Sequence, residues 1–531
     1  MAEGSGSSSV TTSPVWLRLA APSIADIFFI ALFGTLLLTP LAVRLLGDAG
    51  IGWHIRTGQL IIMEHRIPHT DPFSSSVGGK PWYAWEWLYD LVVGECEARL
   101  GLNGVVWFNA AVTAAAFSWL LRWLIRRGAH LLVATALALL ALCASMIHLL
   151  ARPHVVTWLF TMAWFVVLEG YERRSEDVKR PIVGRSLLLF PLSMLLWVNV
   201  HGGFLMGFVL LGIFLAAALW EWSHWRSDRI EDALQEVAAR HRATKLAGVA
   251  LLSVLASLVN PYGWRLYQHI LSYLSSRFLM NHIQEFQSPD FHGIAQRCFL
   301  VLLLITLVTL ACRGRQLRAS AILIVIFAVY TGLYASRSIP VSALLLVMVI
   351  GPLIPGWSRA GFLSRAHSLQ TQLTGHLWPL AMCVATLLIA INGGRIGSTI
   401  WIDARFDPTK MPVAAVDYVA ARRMSHPILT PDSWGGYLIY RRFPQERVVA
   451  DDRHDLYGED FFKSYLKMVH VEAGWQEFLR DHDVSCVLFP RNAALTNVLL
   501  ESPGWAVLYR DDVAVLMARQ TPQASGERGC N

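Results

Sequence analysis

The sequence predicts a polytopic α-helical membrane protein of about eleven transmembrane helices, followed by a C-terminal soluble α/β domain. Three observations predict it. First, 54% of the 531 residues are hydrophobic and 16% charged, with a mean hydropathy of +0.44, where soluble chains carry roughly 25% charged residues. Second, the apolar residues fall in blocks of about 20, enough to cross a hydrocarbon core, and most of these blocks stop near residue 394. Third, the charge divides there. Residues 395–531 hold 16 Lys+Arg and 18 Asp+Glu, leaving 29 and 20 before them, so the net +7 is +9 in the apolar part and −2 after it. A soluble enzyme is excluded as a reading of the whole. A nucleic-acid-binding module is disfavoured too, since its basic surface would have to lie on a soluble face.

Residues 1–23 are expected to be a disordered cytoplasmic N-terminus. Met1–Pro14 is rich in Gly, Ser and Thr, and no small-residue cleavage site follows cleanly, which reads as an uncleaved signal anchor. The transmembrane part, 24–394, holds spans near 25–46, 104–125, 130–150, 154–171, 186–200, 203–222, 245–260, 298–312, 319–336, 339–356 and 376–394. An odd number of spans puts the termini on opposite sides. One set of connections, from Arg18 to Arg365, carries 19 basic residues. The other carries nine: Arg56, Arg66, Lys80, Arg99, Arg152, Arg265, Arg277, Arg297 and Arg337. The positive-inside rule then places the N-terminus in the cytoplasm and the C-terminal part outside.

The stretch 186–222 is interrupted by Asn199-Val200-His201-Gly202-Gly203, polar enough to break one long helix into a hairpin. Two connections are longer than needed. The first outer loop, 47–103, ends in Leu88–Leu100, whose interspersed charges suit a helix lying in the interface. The second is Asn260–Gln296. Residues 395–519 read as an extracytoplasmic α/β domain, with β-type runs at Pro427–Leu429, Arg447–Ala450, Val484–Phe489, Ala506–Tyr509 and Val513–Met517. Helical patterns fill Val413–Arg423, Asp460–His470, Gly474–Asp481 and Ala493–Leu500, and 520–531 is a disordered tail. The seven cysteines show no CxxC or Cys/His zinc spacing, so neither a disulfide framework nor a zinc site is expected.

Asp48 stands directly after the first span and precedes Trp53-His54-Ile55-Arg56-Thr57-Gly58. A carboxylate at a membrane boundary serves as a general base if a neighbouring group orients it; its plain alternative is a solvated helix-end acid. The same loop continues through Pro68-His69-Thr70-Asp71-Pro72 to Lys80-Pro81-Trp82-Tyr83-Ala84-Trp85-Glu86-Trp87. Together these segments resemble the GT-C glycosyltransferases, and more narrowly bacterial multi-pass members of the protein mannosyltransferase and lipid A aminoarabinose transferase clan. Ala151-Arg152-Pro153-His154, Trp197–Gly203, Asn260-Pro261-Tyr262-Gly263, Glu285–Phe291, Asp432–Tyr437 and Asp452–Gly458 fit that subgroup as well.

The resemblance implies transfer of a sugar from a polyprenyl-phosphate carrier to a lipid, glycan or protein acceptor on the outer face of a bacterial inner membrane. Asp48 would take the acceptor's proton during an inverting single displacement, with His54, Asp71 and Glu86 as its companions. Asp71 and Glu86 are the candidates for the second acid that many members carry beside the first; here Ala49 and Gly50 follow instead. Arg152, His154, His201 and Arg337 map to outer ends of spans, where the carrier phosphate would lie, and Arg56 and Lys80 add cations in the loop. Trp82 and Trp85 would stack on sugar or lipid, or belong to an interfacial aromatic belt. Arg152 and Arg337 read equally as snorkelling side chains. A hard divalent ion needs several oxygen ligands, so no metal or other cofactor is predicted. In the C-terminal part, Asp451–Asp455 reads as a turn or as an acceptor site, and Trp434–Tyr437 as a tight turn capping a helix. Two other functions compete: a transporter or flippase, against which the lack of internal repeats speaks, and a non-catalytic scaffold whose first loop would tolerate substitution.

Overall fold

A computed structural model describes residues 15–175, 184–224, 230–355, 362–373, 375–424 and 426–520. Expectations for residues 1–14 and 521–531, Cys530 among them, lie outside this set. The segment expected to be disordered begins its described part with a helix, α1 (Val15–Ala20), an apolar run without Gly or Pro. Ser23 then caps α2 (Ile24–Leu38): its hydroxyl accepts from the Asp26 N–H at 3.2 Å, while the Asp26 carboxylate accepts from the Ser23 N–H at 2.8 Å. The expected span 25–46 is not one helix. Pro40 has no N–H to continue the ladder, and α3 (Leu41–Leu45) restarts beyond it.

Two helices follow inside the first loop, α4 (Ile51–Glu64) and α5 (Trp87–Leu100). Then come α6 (Leu102–Arg126), α7 (Leu131–Ala144), α8 (His154–Ser175), α9 (Leu189–Val200), α10 (Leu205–His224) and α11 (Ile230–Ser257). The second long connection folds into α12 (Arg265–Ser275) and α13 (Arg277–His282). The bundle continues with α14 (Ile294–Arg313), α15 (Ala319–Tyr334), α16 (Ile339–Ile350), α17 (Phe362–Gln372) and α18 (Leu377–Ile391). Six of the described helical segments are long and apolar enough to cross a bilayer: Leu102–Arg126, Leu131–His148, His154–Ser175, Gly202–His224, Ile294–Gln316 and Ser336–Leu353. Three shorter apolar ones, Ile24–Leu38, Ser186–Val200 and Ala319–Tyr334, accompany them. The chain is an integral membrane protein. Helix α11 misses the criterion because its first half carries Asp232, Glu236, Arg240, Arg242 and Lys245. The bundle core is built on large aromatics, with Trp158, Trp164, Trp197, Phe117 and Phe204 fully buried.

Beyond a small hairpin, β1 (Arg395–Ile396) and β2 (Thr399–Ile400), lie α19 (Val413–Ala421), β3 (Ile428–Leu429) and α20 (Asp432–Arg442). These are followed by α21 (His454–Tyr457), α22 (Glu459–Val469), α23 (Trp475–Asp481), β4 (Cys486–Pro490), α24 (Ala494–Glu501), β5 (Trp505–Arg510) and β6 (Ala514–Arg519). The sheet order is β3-β4-β6-β5, with β3 parallel to β4 and the other pairs antiparallel. Its alternation is strict. Cys486, Leu488, Leu516 and Ala518 join a core with Phe33, Trp53, Phe73 and Trp82, while Val487, Phe489, Val515 and Met517 pack with Leu279, Phe462 and Phe478. The sheet is thus buried on both faces, by the first loop on one side and by α13 with the later helices on the other.

Three expectations for this region change. Arg447–Ala450 forms no ladder; Val448 makes single bridges to Ile428 and Ser74, so it stitches the first loop onto the sheet edge. Trp434-Gly435-Gly436-Tyr437 is not a turn but the middle of α20. Its glycines are needed because a Cβ on Gly436 would meet the Ala49 carbonyl at 2.3 Å and one on Gly435 the Ala450 carbonyl at 2.4 Å. Cys486 is disulfide-bonded, whereas Cys96, Cys143, Cys298, Cys312 and Cys383 are free.

Candidate active site

Backbone packing assembles the site before any side chain does. The Ala151 N–H donates to the Leu45 carbonyl at 2.8 Å, so the turn ahead of α8 hooks onto the end of α3. That contact sets Arg152 opposite Asp48. Arg152 Nε lies 2.9 Å from Asp48 Oδ2, and Nη2 reaches both Asp48 Oδ2 at 2.7 Å and Asp452 Oδ2 at 2.5 Å. The Gly50 N–H donates to Asp48 Oδ1 at 2.9 Å, and the Trp53 indole N–H to Asp452 Oδ1 at 3.0 Å. Gly50 has no room for a side chain, since a Cβ there would lie 2.1 Å from Arg152 Nη2 and 2.3 Å from Asp452 Oδ2. One guanidinium therefore bridges carboxylates 404 positions apart, which remain 33% (Asp48) and 18% (Asp452) exposed.

Burial works to raise both carboxyls, but the outcomes differ. At Asp48 the Arg152 charge and the Gly50 N–H overcome it and hold the group below its ordinary range. At Asp452 burial wins, against Arg152 and aided by the Asp48 charge, and lifts it to about 6.

A second cluster adjoins this one. Helices α4 and α5 cross backbone to backbone at Gly58 and Gly94, where a Cβ on Gly58 would fall 1.9 Å from the Asp90 carbonyl. One turn earlier on each helix, His54 Nδ1 lies 2.5 Å from Asp90 Oδ1, both groups fully buried. Glu86 ends the preceding segment, with Oε2 3.7 Å from His54 Nε2 and Oε1 3.6 Å from His201 Nε2. Asn199 accounts for the position of the His201 break: its carbonyl oxygen accepts from the Trp87 indole at 2.7 Å, and its amide donates to the Val259 carbonyl at 3.0 Å. Arg337 pairs with Glu285 at 3.1 Å and lies over the Phe286 ring, and the charges of both Arg152 and Arg337 act on Glu86. His154 sits two residues past Arg152, its Nε2–H donating to the His148 carbonyl at 2.7 Å.

The structure commits four expected site residues elsewhere. Asp71 is no companion of Asp48: it is bound by Arg453 at 2.8 Å and accepts from the Phe73 and Ser74 N–H groups, closing a loop turn. Trp82 is 3% exposed, sealed beneath Arg453 and against Phe73, so its face is closed to a sugar. Arg56 donates to the Tyr440 carbonyl and to Gln59 Oε1, tying α4 to α20. Lys80 is exposed, and its charge acts on His482 in the C-terminal region. Trp85 keeps a partly open ring beside His269, which stacks on Tyr83 and lies 3.0 Å from Asp455 Oδ2. Asp452 and Asp455, in the run that reads as a turn or an acceptor site, and Glu285, in a motif that fits the resemblance, reach the first loop only through the fold; His269 carries no sequence signal of its own. Among the described residues no group of three or more His, Cys, Asp or Glu is arranged to hold a metal ion. A cleft at the opposite end of α8, lined by Glu169, Glu172 and Arg318, lies away from this cluster.

The bundle has the fold of a solved membrane glycan-transferring enzyme. The particular likeness is to the oligosaccharyltransferase of Archaeoglobus fulgidus, solved tethered through a disulfide bond to an acceptor peptide containing the NVT sequon. It has a TM-score of 0.53 and 11% identity, and covers 88% of this chain and 68% of that one. At that identity the likeness carries the fold alone. No family model matches the chain, and no curated protein matches its sequence.

Proposed function

We propose that the chain is a membrane glycosyltransferase that moves a sugar from a polyprenyl-phosphate carrier to an acceptor hydroxyl or amine by inverting single displacement. The Asp48–Arg152–Asp452 trio on a GT-C frame is the observation that carries this reading. Asp48 takes the acceptor's proton as the acceptor attacks the anomeric carbon, and the Arg152 guanidinium it shares with Asp452 holds it in place. Arg152 and Arg337 face the region where the departing phosphate gathers charge, and stabilise it with fixed donors. His201 and His154 line the same end of the bundle, and Trp85 with Tyr83 and His269 offers aromatic surface to a sugar ring. The site opens on the extracytoplasmic side of a bacterial inner membrane, the chain crosses the membrane about eleven times, and a lipid, glycan or peptide is the acceptor.

Purified wild type and Asp48→Asn, incubated with a panel of polyprenyl-phosphate sugars and membrane extract, test the reading. Transfer by the wild type that disappears in the variant is expected. Transfer that survives Asp48→Asn removes Asp48 as the base; vesicle uptake or flipping without transfer replaces the reading with a transporter. For topology, an alkaline phosphatase fusion at Asp403 should be active and one at Arg174 silent.

A further inference from the structure

Glu86 occupies an unusual place. It is the residue just before α5, yet its carboxyl does not cap that helix. Its two oxygens face two imidazoles, at 3.7 Å from His54 and 3.6 Å from His201, both beyond hydrogen-bonding reach. The His201 ring orientation is set from behind: the Gly203 N–H can only donate, so Nδ1 accepts at 3.0 Å and the neutral ring carries its proton on Nε2, toward Glu86. On the other side Asp90 fixes His54, whose Nε2 is buried without a hydrogen-bond partner and aimed at Glu86. Among the other charged or titratable groups, Arg152 and Arg337 favour its ionisation, Asp455 opposes it, and Asp90 and Tyr89 of α5 interact with its charge. The carboxyl is 13% exposed, so it is enclosed and still reachable.

We propose that Glu86 is the general acid that protonates the carrier phosphate as it departs, a role that rests on the glycosyl-transfer reading. The acceptor atom bonds to the anomeric carbon while the bond from that carbon to the phosphate oxygen breaks, its electron pair leaving on the phosphate. The Glu86 carboxyl proton passes to the phosphate, and the acceptor's proton passes to Asp48. The resulting neutral Asp48 and ionised Glu86 exchange a proton through water, which restores both. The net products are glycosylated acceptor and a polyprenyl phosphate carrying the acceptor's former proton. The environments suit these opposite roles. Burial lifts Glu86 to about 8, so it holds its proton at neutral pH, while Asp48 is ionised. Burial also holds His54 well below its usual range, so no imidazolium stands opposite Glu86 to favour loss of its proton.

The test is the pH dependence of kcat with saturating polyprenyl-phosphate sugar, for wild type and Glu86→Gln. The wild type should lose rate above about pH 8 with a single ionisation. Glu86→Gln should lower kcat on the order of 10²-fold, lack the alkaline limb, and keep the donor KM within about twofold. A wild-type kcat that stays flat to pH 9.5, which needs no variant to observe, overturns the proposal. So does an unchanged alkaline limb in Glu86→Gln, or a rise confined to donor KM. Wild-type enzyme that transfers no sugar at any pH overturns the glycosyl-transfer reading itself, and so is a distinguishable failure.

Discussion

Two arginines join the first loop to the C-terminal region, and they are built in opposite ways. Arg453 is 1% exposed and spends its donors inside the fold. Two bonds go to Asp451, at 2.9 and 2.7 Å, and one to Asp71, at 2.8 Å, with Phe73 and Trp82 over its plane. Arg152 is 20% exposed, and it meets its two carboxylates where both remain accessible. The same residue types serve as a rivet in one place and as a working surface in the other. What separates them is whether the aromatic lid closes: Trp82 seals Arg453, whereas Trp53 only donates its N–H to the edge of the Arg152 cluster.

The sharpest way to break this contrast is to remove each arginine. Arg453→Ala leaves Asp71 and Asp451 buried without their partner, at a cost of about 3–5 kcal/mol. It should abolish a cooperative melt or lower Tm steeply, whereas Arg152→Ala should melt near the wild-type temperature and lose transfer. Next in size, Asp48→Asn should reduce kcat on the order of 10³-fold with Tm preserved; a comparable Tm drop would make Asp48 another rivet. Gly50→Ala intrudes on the guanidinium and on Asp452 Oδ2 while leaving every charged group of the trio in place. Displacing Arg152 by about an ångström should cost on the order of 10²-fold in kcat/KM, while Gly212→Ala in α10, which meets no atom, should cost far less.

A last expected effect is thermodynamic, and its sign differs between two acids. Asp48 is held below its unfolded value, so its contribution to stability is complete above the unfolded carboxyl range and is lost as pH falls through the depressed value. Glu86 is raised from 4.5 to about 8, so the folded state binds more protons than the unfolded across that window, and stability falls as pH rises through it. Glu86→Gln removes that decline. Its Tm advantage over wild type should therefore grow between pH 5 and pH 8 and then level off; a constant difference would show that Glu86 does not titrate in this range.

The sequence made the apolar periodicity plain, and helices stand where the blocks of α6, α7, α8, α10, α14 and α16 were read. It misled where a short-range rule met a long-range contact. Pro40 is legible as a break but was lost inside an otherwise continuous apolar run. Gly435 and Gly436 look like a turn because glycine favours turns, yet they lie in a helix that must approach Ala49 and Ala450 closely. At the site, Asp48, Arg152, Glu86 and His201 could be picked out as outlying polar groups at the ends of apolar runs. Asp71 and Trp82 looked equally suited, and only burial shows that they are spent on Arg453. Asp452 could not be paired with Asp48 in advance, because nothing local links positions 48 and 452.

That separation has a consequence for biogenesis. A chain emerging from the ribosome and inserting helix by helix would complete its bundle before Asp452 had been made, and Arg152 would meet Asp48 alone. The site would stay unfinished until α20 seats its glycines against Ala49 and Gly52. On the proposed function, protein truncated anywhere before residue 452 should insert and still be inert.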